Sequence, residues 1–197
     1  MNEQSFSLQP FASTSPLTDC EIVGSITRHH QTLTISYELH CQLTELVIPT
    51  SASKPARKDG LWQETCFEFF VGVKDSPQYW EFNLSPAADW NIYRFAAYRQ
   101  GMEEEKVFIS LPFSVEQQSD MLRLTLEVDL AQFVSANQIL EVAISAVVKL
   151  KEGEVSYWAL THPDSKPDFH HRDSFILELT KNMGFKPRPS LRQRYAN

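Results

Sequence analysis

An all-β chain folded as an antiparallel β-sandwich is what this sequence predicts, and three observations carry the prediction. Apolar and polar residues alternate with period two in segment after segment, as a strand with one buried and one wet face requires. The joins between segments hold Pro, Asp and Ser, the residues of tight turns. No helix-period stretches alternate with the strands, so a parallel sheet built from βα units is excluded. The 197 residues, 42% hydrophobic and 22% charged, suffice for one full core and exclude a disordered or collagenous chain.

In chain order, a segment over Glu21 to Arg28 opens the sheet. From Thr32 to His40, Leu33, Ile35, Tyr37 and Leu39 alternate with Thr34, Ser36 and Glu38. A central meander follows: Glu64 to Val73, Tyr79 to Ser85 and Trp90 to Tyr98, joined by Lys74-Asp75-Ser76-Pro77 and Pro86-Ala87-Ala88-Asp89. Leu122 to Leu130 alternates cleanly, and Asp129 to Phe133 reads as a short helical turn. Ile139 to Leu150, Val155 to Leu160 and Phe175 to Leu179 complete about nine strands. Residues 1–184 form one domain in this reading, and residues 185–197 a basic tail with Lys186, Arg188, Arg192 and Arg194 and no acid. Such a tail is either a loosely held terminus or a contact for a protein partner.

A net charge of −7 and a pI near 5.4 argue against a nucleic-acid or anionic-membrane surface. No apolar run approaches a membrane span, and the N-terminal MNEQSFSLQPFASTSP lacks the basic and apolar regions of a signal peptide, so a cytoplasmic location is expected. Cys20, Cys41 and Cys66 are odd in number and lack CxxC spacing. They are therefore expected to be small buried hydrophobes in a reducing compartment, not a disulfide framework.

The meander sends aromatics to one face and polar groups to the other. A register with Glu68 opposite Glu81 and Glu81 opposite Arg94 aligns two acids and an arginine, with Asn83 nearby. Like charges directly opposite are unfavourable unless a cation or a ligand's hydroxyls lie between them, and Arg94 is the expected cation. The row reads as an ion-pair ladder or as a surface gripping hydroxyls by charge-assisted hydrogen bonds. A catalytic pair fits less well, because glycoside hydrolysis needs carboxyls on opposite sides of a bond and one raised pKa. Trp80 and Trp158 read as core, whereas Trp62 and Trp90 sit at strand ends as plugs or stacking platforms. The segment from Thr161 to Asp173 is the densest polar cluster, with His162, Asp168, His170 and His171. Its spacing matches no zinc pattern, and there is no G-x-S-x-G, so neither metal nor nucleophilic catalysis is expected.

Two motifs resemble a known family. Trp62-Gln63-Glu64-Thr65-Cys66-Phe67-Glu68 resembles the Trp-x-x-Asp-x-x-Glu opening of the family 9 carbohydrate-binding modules, part of the DOMON-like sandwich superfamily, with Thr65 in place of the acid. Phe169-His170-His171-Arg172-Asp173-Ser174-Phe175 is similar to that family's C-terminal aromatic loop, with Phe169 where a second tryptophan stands. The resemblance spans roughly residues 20 to 180. It implies a DOMON-like sandwich of immunoglobulin-like or jelly-roll type that is non-catalytic and binds sugars between two aromatic rings. By position Trp62 is then the first ring, Glu68 the carboxylate and Arg94 the guanidinium; taken with the polar row and the loop, the expected site has Trp62 and Phe169 as walls and Glu68, Glu81, Asn83, Arg94 and His170 as polar partners, with no cofactor or metal. The ligand expected is a small sugar or sugar-containing molecule. Alternatives are a protein-interaction domain, a glycoside-acting enzyme needing a carboxyl raised towards neutrality, or a haem-binding domain using Met and His, for which Met102 and Met121 have no assigned histidine.

Overall fold

The computed structural model describes residues 3–11, 17, 19–50 and 54–180, so the basic tail lies outside the described residues. Among the described residues, twelve antiparallel strands run in chain order as β1 (Gln4–Pro10), β2 (Glu21–His29), β3 (Thr32–His40), β4 (Cys66–Val73), β5 (Tyr79–Leu84), β6 (Trp90–Phe95), β7 (Glu103–Glu104), β8 (Phe113–Gln117), β9 (Met121–Asp129), β10 (Leu140–Lys149), β11 (Val155–Ala159) and β12 (Leu177–Leu179). The neighbour order is β7-β6-β5-β4-β10-β11-β1-β2-β3-β9-β8, with β12 also on β10. Strand β1 joins the halves, pairing with β2 from Gln4 to Leu8 and with β11 at Gln9 and Pro10. The expected β-sandwich is what forms. We call β1-β2-β3-β9-β8 the front sheet and β7-β6-β5-β4-β10-β11 the back sheet.

The main core lies between the sheets. Front-sheet residues Ile22, Ile26, Leu33, Ile35, Leu39, Leu122, Leu124 and Leu126 meet Phe67, Phe69, Phe82, Ile92, Ile144 and Trp158 from the back. Phe69 and Phe82 stack at 4.3 Å between ring centroids. Tyr37 crosses from β3 and donates its hydroxyl to the Glu68 carbonyl at 2.8 Å, tying the sheets together through a fully buried polar bond. Arg28 closes one end: its buried guanidinium donates to the carbonyls of His30, Gln138 and Leu179 at 2.9, 2.7 and 3.2 Å.

Three strands were not anticipated. Strand β1 buries only Phe6 and Leu8, while β8 is a sheet edge with no fully buried residue and β7 is two residues long. Each is too short or too weakly alternating to stand out by pattern, and pairing defines them. The Asp129–Phe133 segment forms a turn after β9, closed by Val134 N–H to the Leu130 carbonyl at 2.9 Å.

The cysteine expectation is corrected. Cys20 and Cys41 are joined in a disulfide, and only Cys66 is free and buried. Their 21-residue separation conceals the reason: they flank the Glu21–His40 pair that ends the β2–β3 ladder, with Cα atoms 4.6 Å apart.

The register of the meander is also corrected. Glu68 faces Asn83, Glu81 faces Tyr93, and Arg94 faces Trp80. The first difference is two residues and leaves Glu68 and Glu81 on one face. The second is a single residue, which moves Arg94 to the other face. Its cause is the turn after β5: Ser85 N–H donates to the Asp89 carbonyl at 2.9 Å, with Ala88 left-handed at φ 65°, leaving three residues in the loop.

Candidate functional site

The outer face of the back sheet is covered, and this builds the site. Strands β4 and β5 are buried at almost every position, so apolar residues point both ways. The outward set is Phe70, Tyr79, Tyr93, Phe95 and Ala143, packed beneath Phe175 and Phe169 of the 161–176 loop. Among them, on the same face by register, stand Glu68, Asn83 and Glu81.

Two loops wall this face. Residues 54–64 are pinned by Arg57, which donates to Asn91 Oδ1 at 2.7 Å and stacks 4.3 Å over Trp90, and by Asp59, which accepts from the Tyr93 hydroxyl at 2.5 Å. Left-handed Gly60 (φ 70°) starts the single 3₁₀ turn Leu61–Gln63, which holds Trp62 edge-on to Tyr93. Trp62 remains 37% exposed, whereas Trp90 is a buried plug.

The second wall is the 161–176 loop. Asp168 accepts from the Tyr98 hydroxyl at 2.5 Å, from Arg99 Nη2 at 2.8 Å and from the His170 N–H at 3.1 Å. Burial pushes its carboxyl up, but these hydrogen bonds and the Arg99 charge hold it below the usual range. Further along, Arg172 donates to Glu141 Oε2 at 2.5 Å and to the Val73 carbonyl at 3.1 Å. It lies directly over Gly72, where any Cβ would collide with its guanidinium. Glycine permits that close approach, and its φ is not the reason for it.

Between the walls is a pocket of about 380 Å³. Of the residues expected from sequence, Trp62, Glu68, Glu81, Phe169 and His170 line it together. Asn83 sits behind them, fully buried, donating from Nδ2 to Glu81 Oε1 at 2.8 Å. Arg94 lies on the opposite face, paired at 2.7 Å with Glu103. His162 hydrogen-bonds the Gln9 carbonyl at 2.8 Å and does not join. Arg99, Met102, Phe95 and Tyr157 line the pocket without having been anticipated. Arg99 sits in a left-handed turn (φ 52°) beyond β6, and no local motif marks it.

The electrostatics are unusual for two carboxylates in a cleft. Glu68 is 3% exposed, and its Oε1 has no hydrogen-bond partner among the described residues. Burial, then the Glu81 charge, push its pKa well up, and the nearby Ser145 hydroxyl offsets part of this without reaching hydrogen-bonding geometry. Burial raises Glu81 to about 7 against the pull of Asn83 and Arg99. His170 is lowered to about 4 by burial, then by Arg99. The Tyr79 hydroxyl accepts from the Arg99 N–H at 3.2 Å and shares a hydrogen bond with His170 Nδ1 at 2.9 Å. The other ring nitrogen, Nε2, faces Glu81 Oε2 at 3.8 Å.

Fold and pocket together define a class: a β-sandwich with an aromatic-walled, acid-floored pocket on the outer face of one sheet. No family model matches the chain, and no curated protein matches it in sequence. Solved structures do match it. A proposed carbohydrate-binding protein from Bacteroides uniformis superposes with a TM-score of 0.65 at 14% identity, covering 90% of this chain and 86% of its own. A family 9 carbohydrate-binding module from Caldicellulosiruptor kristjanssonii in complex with cellotriose gives 0.55 at 14% identity, covering 91% and 83%. With glucose, the corresponding values are 0.54, 13%, 89% and 83%. This chain therefore shares the sandwich fold of the family 9 modules.

Proposed function

We propose that this chain is a non-catalytic carbohydrate-binding domain whose site is the pocket between Trp62 and Phe169. The observation that carries the reading is the lining itself: aromatic walls over a floor of buried hydrogen-bonding groups, the combination that takes a sugar's apolar face and its hydroxyls together. The same-fold neighbours solved with cellotriose and glucose support it. Within this reading Arg99, not Arg94, supplies the guanidinium, because it lines the pocket beside Glu81. Asn83 orients Glu81 and does not itself touch ligand.

The test is calorimetric titration of the intact protein with glucose and cellotriose. Because Trp62 is 37% exposed, Trp62→Ala should abolish binding with little change in melting temperature. Binding that survives the substitution would remove Trp62 from the site.

A second reading, a glycoside-acting enzyme, has one observation in its favour: Glu81 is raised to about 7, as a general acid requires. The placement opposes it, since Glu68 and Glu81 rise from one floor and approach a sugar from the same side. Turnover of nitrophenyl glycosides across pH 4–8 decides between the two, and none is expected. Haem fits poorly: Met102 and His170 share the pocket, but His170 Nδ1 is held by Tyr79 and Nε2 faces Glu81.

A further inference from the structure

The charge of the pocket narrows its ligand. Resting on the carbohydrate-binding reading above, we infer that the pocket selects an amino sugar, with the sugar's free ammonium group seated on the Glu68 and Glu81 carboxylates.

The argument begins with what is missing between those acids. They stand on adjacent strands of one face, and among the described residues no lysine or arginine is ion-paired with either. Arg99 lines the pocket and its charge is felt at Glu81, but its ion pair is with Asp168 at 2.8 Å. His170 is uncharged at neutral pH. Lys149 is turned to the Gln63 carbonyl at 3.3 Å, and Arg94 is on the other face. A neutral sugar entering this site would desolvate the acid pair further without supplying a countercharge.

Orphaned atoms point the same way. Glu68 Oε1 and, opposite it on β10, Ser145 Oγ are buried without a hydrogen-bond partner among the described residues. A sugar hydroxyl has one proton to donate, whereas an ammonium has three and a full positive charge. The walls agree as well: the rings of Trp62, Tyr157 and Phe169 and the Met102 thioether offer electron-rich surfaces that favour a partly desolvated cation.

The titratable surroundings give the proposal a signature. Tyr79 and Tyr93 face the acids from their own sheet, and Cys66 and Tyr37 lie beside and behind Glu68. Burial and the neighbouring acids raise all four above their ordinary values, so each is neutral. The ligand-free pair therefore holds a proton at pH 7, and an arriving ammonium displaces it.

The experiment is calorimetry of the full chain at pH 7 with D-glucosamine, D-glucose, N-acetyl-D-glucosamine and cyclohexylamine, repeated in buffers of differing ionisation enthalpy. Glucosamine should bind roughly tenfold or more tighter than glucose or the N-acetyl sugar, with a buffer-dependent heat that reports proton release. Glu68→Gln should erase that preference, read as the ratio of glucosamine to glucose affinity whatever happens to each alone, and Glu81→Gln provides the same readout if the first variant fails to fold. Equal affinity for glucosamine and glucose would overturn the cation preference and leave the sugar reading standing. Cyclohexylamine binding with no sugar binding would overturn the sugar reading while keeping the cation seat, and silence from all four would overturn both. A preference that persists in both glutamine variants would overturn the seat. So would calcium or zinc chloride binding alone and blocking glucosamine.

Discussion

The two sheets share one core and differ in their second faces. The front sheet alternates strictly, with β3 burying Leu33, Ile35, Tyr37 and Leu39 and leaving Thr34, Ser36 and Glu38 only partly covered. On that outer face, polar side chains pair with one another, as in the Ser36–Thr125 hydrogen bond at 3.0 Å and the Arg123–Glu38 bridge at 2.8 Å. The back sheet is buried on both sides because loops 54–64 and 161–176 close over it. Covering a sheet's second face removes water from whatever polar groups it carries. Buried on the back sheet, carboxylates become reactive to charge, whereas the same residue type on the front sheet is an ordinary surface acid. Glu38, held below its usual range by hydrogen bonds from Arg123 and His40, and Glu81, raised to about 7, show the contrast.

That contrast can be broken by substitution, most severely at the shared core. Phe69→Ala removes a fully buried ring stacked on Phe82 and should cost about 3–5 kcal/mol in denaturant unfolding, enough to threaten the fold. A loss under 1 kcal/mol would mean that the sheets do not pack as described.

Gly72→Ala is next, and its effect should be local. The new methyl displaces the Arg172 guanidinium, lifting the 161–176 loop at a cost of about 1–3 kcal/mol and weakening sugar binding through Phe169 and His170. Unchanged binding would show that the loop is held without Arg172.

The pH dependence separates the two faces more finely. The raised Glu81 binds its proton more tightly folded than unfolded, so its contribution to stability is lost as pH rises from the ordinary Glu range through about 7. His170, depressed to about 4, acts oppositely, with stability lost as pH falls from about 6.5 through 4. Above pH 6.5 His170 contributes little further change, while the acid pair still titrates. The melting temperature should therefore fall between pH 6.5 and 8, and Glu81→Gln should flatten that decline. A variant with the wild-type slope would place the titration elsewhere. At the smallest scale, Thr125→Ala on the open front face should shift stability by no more than about 0.5 kcal/mol, and a larger loss would show that this face is covered too.

Alternation along the strands was enough to predict an antiparallel sandwich, because burial on one side imposes period two on the residues themselves. Trp62, Glu68, Glu81, Phe169 and His170 were legible as site candidates for a related reason: polar and aromatic residues misplaced in a burial pattern, or gathered in a long loop, stand out locally. Arg94 was not separable from Arg99 in this way. A turn one residue tighter or looser inverts a side chain's face, and Arg94 lies within the aromatic strand β6 while Arg99 stands just beyond it. The Cys20–Cys41 bond was concealed until β2 and β3 were paired residue for residue. The sequence by itself determined the long strands and the faces they turn to the main core. Only the tertiary structure decided the register between them, the loops that seal the back sheet and therefore the protonation of its acids, since desolvation is a property of what covers a group and not of its neighbours in the chain.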